Sequence, residues 1–369
     1  MEEVVNVKES TNPTDDDQAL ITALQVVPRA SWSDIGETLG VSGVTVARRW
    51  ERISASGVAW VTAAPGMTRH GEQCVAYVEV DCLPGNRQSV AAEIARHELV
   101  VTVEITTGTA DLLLTIAAAS LATLSHYLLD HLGGMPGVLR TRARVATKIY
   151  AEGSSWRLVD LPDAALRRLE RSRVAPEEGS DEGSLVMTPD VKRLAGLLSL
   201  DGRASYADLA AATGLSATTV RRHVGRLLGS GQMILRTDLA TELSGFPVQV
   251  YLWADAPVDG LPATAQTLAQ LRQVRLCATV SSAPCMVVCA WLRTVEEVHR
   301  LELAIAKRLP QVQIIDRLVV LRTVKRMGRL VDTEGRAAGV VPINIWDDTL
   351  AHPTPTVAVA GPCATSGSP

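Results

Sequence analysis

Two short runs of this sequence put hydroxyls and arginines where they could meet a polyanion. In the first, Ser42 and Thr45 precede Arg48, Arg49 and Arg52; in the second, Ser216, Thr218 and Thr219 precede Arg221, Arg222 and Arg226. If each run is a helix, Ser42 or Ser216 caps its N-terminus. Arg48 and Arg52 then share one face, as do Arg222 and Arg226, because each pair is four residues apart. Short polar groups at a helix N-terminus can read base edges in the major groove, and cations along its flank can neutralise phosphates. The chemistry suggested is recognition of double-stranded DNA. Solvated arginines on an ordinary helix would look similar, but would not come with the same cap and turn twice. His223 stands where the first run has Arg49, as a partial cation or a solvent-facing bystander.

A second group of reactive side chains, Cys277, Cys285 and Cys289, crowds into one predicted hairpin. Three thiols can make a redox sensor or a soft metal site. With strand positions and no adjacent histidine, the simpler expectation is that they pack as small apolar residues and that no metal is bound.

The elements that carry these residues repeat. Ala30, Ser31, Asp34, Gly40, Ser42, Thr45, Val46, Arg48, Arg52 and Gly57 recur as Ala204, Ser205, Asp208, Gly214, Ser216, Thr219, Val220, Arg222, Arg226 and Gly231, always 174 positions later. The offset persists through Tyr77 and Tyr251 and through Pro136 and Pro310. A period this long points to a duplicated two-domain unit rather than a solenoid. In the first copy, an apolar face at Leu20, Ile21 and Leu24, a second helix capped by Ser31 and stopped by Gly40, and a third capped by Ser42 make a helix-turn-helix. Val58 to Thr62 reads as a short β-wing or a linking strand. Beyond Gly71 the order is strand (Cys74 to Val80), helix (Arg87 to His97), strands (Val100 to Thr106, Leu112 to Ala118), helix (Leu121 to Leu132), strand (Val138 to Thr147). This βαββαβ order is a split ferredoxin-like unit. Both its helices cover one sheet face, so the other face needs a partner, which the second copy can supply.

The fold class expected is α+β, with two winged helix-turn-helix domains and two βαββαβ ferredoxin-like domains in tandem repeat. The domains expected are a disordered tail at 1–15, helix-turn-helix units at 16–63 and 188–237, and ferredoxin-like domains at 70–150 and 245–330. An acidic, Gly/Ser-rich linker at 151–187 joins the copies, with a short helix from Asp163 to Arg173, and a mostly flexible tail covers 331–369. Within that tail VVPINIW at 340–346 can dock as one strand.

Composition narrows the class. Lys and Arg number 36 against 40 Asp and Glu, a net charge of −4, so any contact with nucleic acid must come from local patches. Residues 190–236 carry seven cations against three acids, while 17–62 carry four against four, so the second helix-turn-helix is expected to hold DNA more tightly. Six cysteines without a CxxC pair, no basic stretch before an apolar core at the N-terminus and no long apolar run suggest a reduced, cytoplasmic, nucleoid-associated protein without membrane contact. An Ala/Arg/Val-rich, Lys-poor composition suggests a GC-rich bacterial genome.

The runs LGVSGVTVARRWERISASG, TTGTADLLLTI and GGMPGVLRTRARV together resemble the Lrp/AsnC family of transcription regulators, over residues 17–147 well and 190–323 less closely. That resemblance implies a helix-turn-helix joined by a strand to an effector domain of the RAM type, pairing through the effector sheets, and further homo-oligomers. It also implies an amino acid or related metabolite bound at the family's Gly-x-x-Asp turn. Here that turn is Thr107, Gly108, Ala110 and Asp111, whose free amides suit a carboxylate and whose Asp111 suits an ammonium. Alternatively, Gly108 only permits the turn and Asp111 caps it. The second copy has Ser282 and Cys285 at the matching places, without the carboxylate. The siroheme decarboxylases are built from the same parts, but no cluster of His, Tyr and Arg is evident in the sequence. The expectation is therefore a regulator with no catalytic activity and no cofactor beyond a small-molecule effector, its two copies pairing within one chain to read an asymmetric operator.

Overall fold

The computed structural model describes residues 13–66, 73–172, 185–241, 244–346 and 357–358. Most of the expected N-terminal tail and the acidic run at 175–184 lie outside these residues. The chain opens with three helices, α1 (Asp15–Val26), α2 (Trp32–Leu39) and α3 (Gly43–Ala55), followed by strand β1 (Ala59–Pro65). The Ser31 and Ser42 hydroxyls accept the amides of Asp34 and Thr45, each at 3.1 Å, satisfying donors that a helix start leaves unpaired. The same is true of α7 (Pro189–Leu200), α8 (Tyr206–Thr213) and α9 (Ala217–Gly229), where Ser205 and Ser216 accept from Asp208 and Thr219 at 3.0 and 3.1 Å. Leu20, Ile21, Leu24, Ile35, Val46, Trp50 and Ile53 close the core of the first unit. Val191, Leu194, Leu198, Leu209, Val220, Val224 and Leu227 close the second.

Among the described residues neither unit has a wing of its own. Strand β1 pairs antiparallel with β6 (Met233–Leu239), with Ala59 opposite Leu239 and Thr62 opposite Arg236. Each unit contributes one strand, and only the two together satisfy the ladder. The expected winged form is corrected accordingly: one strand per unit cannot make a hairpin, so it pairs across.

Between and after the helical units lie β2 (Cys74–Cys82), α4 (Arg87–Ile94), β3 (Val100–Thr106), β4 (Leu112–Ala118), α5 (Leu121–His126) running into a π-helical turn, and β5 (Val138–Ala151). Their counterparts are β7 (Val248–Asp255), α10 (Leu261–Ala269), β8 (Val274–Val280), β9 (Met286–Leu292), α11 (Glu296–Arg308) and β10 (Gln313–Arg326). The two long strands are shared. The first half of β5 pairs with β2 and its end with β8, while β10 pairs first with β7 and then with β3. The ladder thereby closes on itself through eight strands in the order β10, β3, β4, β2, β5, β8, β9, β7 and back to β10.

Strand periodicity sorts the side chains. Ala76, Val78 and Val80 point to α4 and α5, and Val250, Leu252 and Ala254 point to α10 and α11. The alternate residues Val75, Tyr77, Tyr251, Trp253, Cys289 and Trp291 share one cluster inside the closed ring. The face that each βαββαβ unit leaves without helices is thus covered by the other.

Two segments outside the repeated units are packed. Helix α6 (Asp163–Arg171), with Leu158, seals the core of the first helical unit, Leu169 is fully buried, and Trp156 packs on Phe246 and Trp291. After β10, strands β11 (Arg329–Val331) and β12 (Ala337–Val340) extend the sheet, and β13 (Val357–Ala358) pairs with β12. Val341, Ile343, Ile345 and Trp346 are buried in the cluster of the second helical unit, where the Ile343 amide donates to Ser199 Oγ at 3.1 Å. The 340–346 run docks through alternating apolar side chains, with no strand beyond Val340. Its Pro342 has no N–H to donate to a ladder.

Candidate functional site

Both recognition helices, α3 and α9, present their N-terminal hydroxyls and most of their arginines outward, but the two faces differ in charge. On α3, Arg49 pairs with Asp16 and Arg52 with Asp17, both at 2.7 Å, leaving Arg48 exposed beside Val44, an apolar side chain 80% exposed. On α9, Arg222 is exposed, Arg221 lies over the Tyr206 ring at 5.1 Å, and Arg226 has a buried Nε without a partner. Among the described residues, none of these three arginines has a carboxylate at ion-pair distance. The sequence offers the reason: Asp17 on α1 corresponds to Val191 on α7, so the cation that Asp17 neutralises in the first unit is left free in the second. His223 is half-buried, and burial, with Arg222 and Arg226 beside it, lowers its pKa, so it is neutral at pH 7 and adds no charge.

Three of the seven cations counted for the second unit serve elsewhere, and one of them, Lys192, donates to the Trp346 carbonyl. Arg203 donates to the carbonyls of Pro28 and Ala30 at 2.6 and 3.0 Å, and Arg29, its counterpart 174 residues earlier, donates to those of Gly202 and Ala204 at 2.8 and 2.9 Å. Arg203 stacks on Trp32 at 3.7 Å and Arg29 on Tyr206 at 4.9 Å. The exchange locks the helical units together. Arg236 points into the protein interior.

The turn at 107–111 is held by its surroundings. Gly108 has a φ of +89°, and a Cβ there would meet the Arg317 carbonyl at 2.9 Å. The Thr107 amide donates to Val319 O at 2.9 Å, Thr106 Oγ1 to Ala110 O at 2.8 Å, and Ala110 is buried. Asp111 accepts the Cys82 amide at 2.8 Å and pairs with Arg87. Its carboxylate is therefore engaged within the protein, in the capping role that was one of the two readings of this turn. In the second copy the direction is reversed: the amide of Cys285, the counterpart of Asp111, donates to Asp255, the counterpart of Asp81, at 2.7 Å, so the two segments stay joined without a carboxylate in the turn.

Inside the ring is a cluster that sequence inspection did not find. A cavity of about 110 Å³ is lined by Tyr77, Glu104, Glu152, Arg236, Gln249, Tyr251, Arg275, Cys289, Trp291 and Arg326, among others. Arg236 Nε and Nη2 hold Asp238 at 2.6 and 3.0 Å, and Arg275 shares the same carboxylate. Burial alone would raise the Asp238 pKa, but the two guanidiniums outweigh it and hold it at about 2. Arg326 donates to Gln249 at 2.8 Å and to Thr323 at 2.9 Å, and Gln249 Nε2 donates to Glu104 at 2.5 Å. Arg275 and Arg326 lie 4.0 and 4.9 Å from the Trp291 ring centre. Gly153 completes the wall: a Cβ there would stand 2.2 Å from Arg236 Nη2 and 2.9 Å from Arg275 Nη2. The signal was present as polar residues on the inward period of apolar strands, such as Gln249, Tyr251 and Trp253 of β7. Nothing in one strand, however, says which other strands face it.

The cysteines do not form a reactive cluster. Cys277 and Cys289 are buried, and burial pushes both thiols up to about 12, while the half-buried Cys285 is also raised. Among the described residues no group of His, Cys, Asp and Glu is arranged to hold a metal, and no helix is long and apolar enough to cross a membrane.

Fold and site define a class: helix-turn-helix proteins whose helical units ride on ferredoxin-like ligand-binding domains. The chain belongs to the Lrp/AsnC family. The AsnC-type helix-turn-helix domain matches residues 14–53 and 192–228, and the Lrp/AsnC ligand binding domain matches residues 75–156. An uncharacterized HTH-type transcriptional regulator of Pyrococcus furiosus is 31% identical over 138 residues, 37% of this chain and 93% of that protein. HTH-type transcriptional regulator FL11 of Pyrococcus horikoshii is 28% identical over 137 residues, 37% of this chain and 90% of that protein. Each relative is about as long as one half of the chain. Likeness across most of the chain comes from the crystal structure of the siroheme decarboxylase NirDL, with a TM-score of 0.53 and 11% identity over 84% of this chain and 93% of that one. The same enzyme in co-complex with an iron-uroporphyrin III analogue scores 0.52. At this identity the likeness is one of fold. The expectation of a chain without catalytic activity is corrected to this extent: the arrangement that matches over most of its length is found in an enzyme, so the fold is not one confined to regulators. The absence of an Arg and Tyr cluster, on which that expectation leaned, is also corrected: Arg236, Arg275, Arg326, Tyr77 and Tyr251 converge from five separate strands.

Proposed function

We propose that this protein is a sequence-specific DNA-binding regulator of the Lrp/AsnC type, modulated by a small metabolite, in which one polypeptide does the work of a dimer. The observation that carries the reading is the pair of exposed, serine-capped recognition helices held at a fixed separation by β1, β6 and the reciprocal Arg29 and Arg203 contacts. The strands β5 and β10, each shared between the two halves, support the reading of an intramolecular pseudo-dimer. DNA contacts fall to Ser42, Thr45 and Arg48 on α3 and to Ser216, Thr218, Thr219, Arg221, Arg222 and Arg226 on α9. Arg49 and Arg52 join them only by giving up Asp16 and Asp17. The two helices therefore read unequal half-sites, the α9 side contributing more of the phosphate affinity. Selection of bound fragments from random DNA tests this directly: an asymmetric site with two spaced halves is expected, and no enrichment of any sequence would refute it.

A second reading has one observation in its favour. The buried arginines and tyrosines inside the ring suit a carboxylated substrate, and the fold is shared with a decarboxylase over most of the chain. A cavity of about 110 Å³ holds a small organic ion, and a tetrapyrrole would need the ring to open. Mixing the purified protein with siroheme and recording its absorbance separates the readings: a tight spectral shift followed by loss of carboxylate favours the enzyme, and an unchanged spectrum favours the regulator.

A further inference from the structure

The cavity inside the ring contains three polar atoms that the protein itself leaves without partners. Arg275 Nη1, Trp291 Nε1 and Glu104 Oε2 are each buried and make no hydrogen bond, and their residues are 6%, 1% and 1% exposed. All three residues line the same cavity. Unpaired buried donors and acceptors cost roughly 1–3 kcal/mol each, more when charged, so three on one wall form a costly arrangement for the empty protein. The neighbouring polar atoms are already occupied: Arg275 Nη2 pairs with Asp238, Glu104 Oε1 receives Gln249, and Arg326 is divided among Gln249, Thr323 and Thr241. What remains is two donors, one of them charged, beside a single carboxyl oxygen.

From this geometry we infer that the cavity is a ligand site for a small carboxylic acid that also carries a hydrogen-bond donor, the carboxylate lying on Arg275 and Trp291 and the donor on Glu104. The Arg275 guanidinium stays charged at neutral pH, since burial lowers its pKa only to about 10. Local charge is balanced, with the guanidiniums of Arg236, Arg275 and Arg326 against Asp238, Glu152 and Glu104, so a ligand that carries both a carboxylate and a donor adds no net charge to offset. The cavity volume limits the ligand to a few carbon atoms. Gly153 keeps the arginine wall open, because any side chain there would strike both guanidiniums. The site lies within the layer that joins the halves, with residues from both: Glu104 precedes the 151–187 connection, and Gln249, Arg275, Trp291 and Arg326 follow it. A ligand there ties the two βαββαβ units together and shares its cavity with Arg236 of the β1 and β6 joint.

The inference deepens the regulatory reading by giving its metabolite a place, and its test does not depend on DNA. Calorimetric titration of the full chain, without DNA, with L-alanine and L-valine, their 2-hydroxy-acid and simple-acid counterparts, and the corresponding amines is expected to show binding of acids that carry a second donor. The amines, which lack the carboxylate, are expected to give no heat. Arg275→Gln should weaken binding at least about 30-fold, and Trp291→Phe, which removes the indole donor together with one ring, about 3- to 10-fold. Glu104→Gln decides between sources: it weakens an amino acid strongly and a hydroxy acid little, because the amide oxygen still accepts from a hydroxyl. Should Arg275→Gln fail to fold, Trp291→Phe carries the test alone. No binding by any acid in the set, or binding that neither Trp291→Phe nor Arg275→Gln alters, overturns the inference. Failure of the regulatory reading is distinct, since it would appear as absence of DNA binding with this titration intact.

Discussion

Replacing Arg203 with Ala should loosen the joint between the two helix-turn-helix units while leaving the closed strand layer intact. The guanidinium donates two hydrogen bonds across the joint, at 2.6 and 3.0 Å, and stacks on Trp32 at 3.7 Å. Burial lowers its pKa to about 10, so it is charged at neutral pH. Two charged hydrogen bonds at about 1.5 kcal/mol each and a stacked cation at about 1 kcal/mol set an upper bound near 4 kcal/mol. Water can reach the freed Pro28 and Ala30 carbonyls beside a half-buried side chain, which brings the expected cost to about 2–4 kcal/mol. A chain of several domains does not unfold as one unit, so a single melting temperature would blur this effect. Native-state hydrogen exchange resolves it: amides of α2 and α8 should lose about 30-fold protection or more, while those of β2, β4, β7 and β9 change little. Arg193→Ala, on an exposed arginine of the same unit, serves as the control and should leave both sets unchanged. Protection in α2 and α8 within about threefold of the parent, or an equal loss throughout the strands, would refute the claim that the exchange of arginines holds the units together.

Further outcomes follow from the same contacts. Arg222→Ala with Arg226→Ala should reduce the slope of log affinity against log salt by about 1.8, whereas Arg49→Ala with Arg52→Ala should reduce it much less, since those charges are already paired; filter binding over a salt series measures both. Asp238, held at about 2 when folded and at 3.8 otherwise, contributes stability that is present above pH 4 and lost as pH falls towards 2. The amount is about 2 kcal/mol, and an acid titration followed by circular dichroism should lose that step in Asp238→Asn, which is itself expected to be destabilised by about 3–5 kcal/mol. Asp111→Ala should lower the stability of the first βαββαβ unit by about 1–3 kcal/mol in urea, because it frees the Cys82 amide and Arg87, and Asp111→Asn should restore part of the loss. Under mild alkylation mapped by mass spectrometry, Cys277 and Cys289 should remain unmodified until the chain unfolds, with Cys285 reacting slowly.

Much of this protein is legible from local rules. The four serine caps, the glycines that end α2 and α8, and the switch from a helical period to a period of two placed the helix-turn-helix units and the βαββαβ order to within a few residues. The outward recognition residues also followed, because a capped amphipathic helix has only one face to bury. Which of those arginines are free did not follow. Their availability depends on carboxylates brought by α1, and the loss of Asp17's equivalent at Val191 acts only once the helices have packed. A short helix from Asp163 to Arg173 and docking of the run 340–346 were legible from their apolar residues, but what they pack against was not. They gain order only from the cores they complete.

The amino-acid sequence by itself determined the parts, their order and the spacing of 174 at which residues recur, because each rests on interactions within a few residues or on that visible spacing. Tertiary structure alone decided what the recurring parts make. It paired β1 with β6 instead of forming wings, closed β5 and β10 around both halves, and brought Glu104, Arg236, Gln249, Arg275, Trp291 and Arg326 to one cavity. The physical reason is that a strand records in its sequence which face is apolar, and not which strand it will meet. Side chains from six strands become a site only when closure removes the water between them.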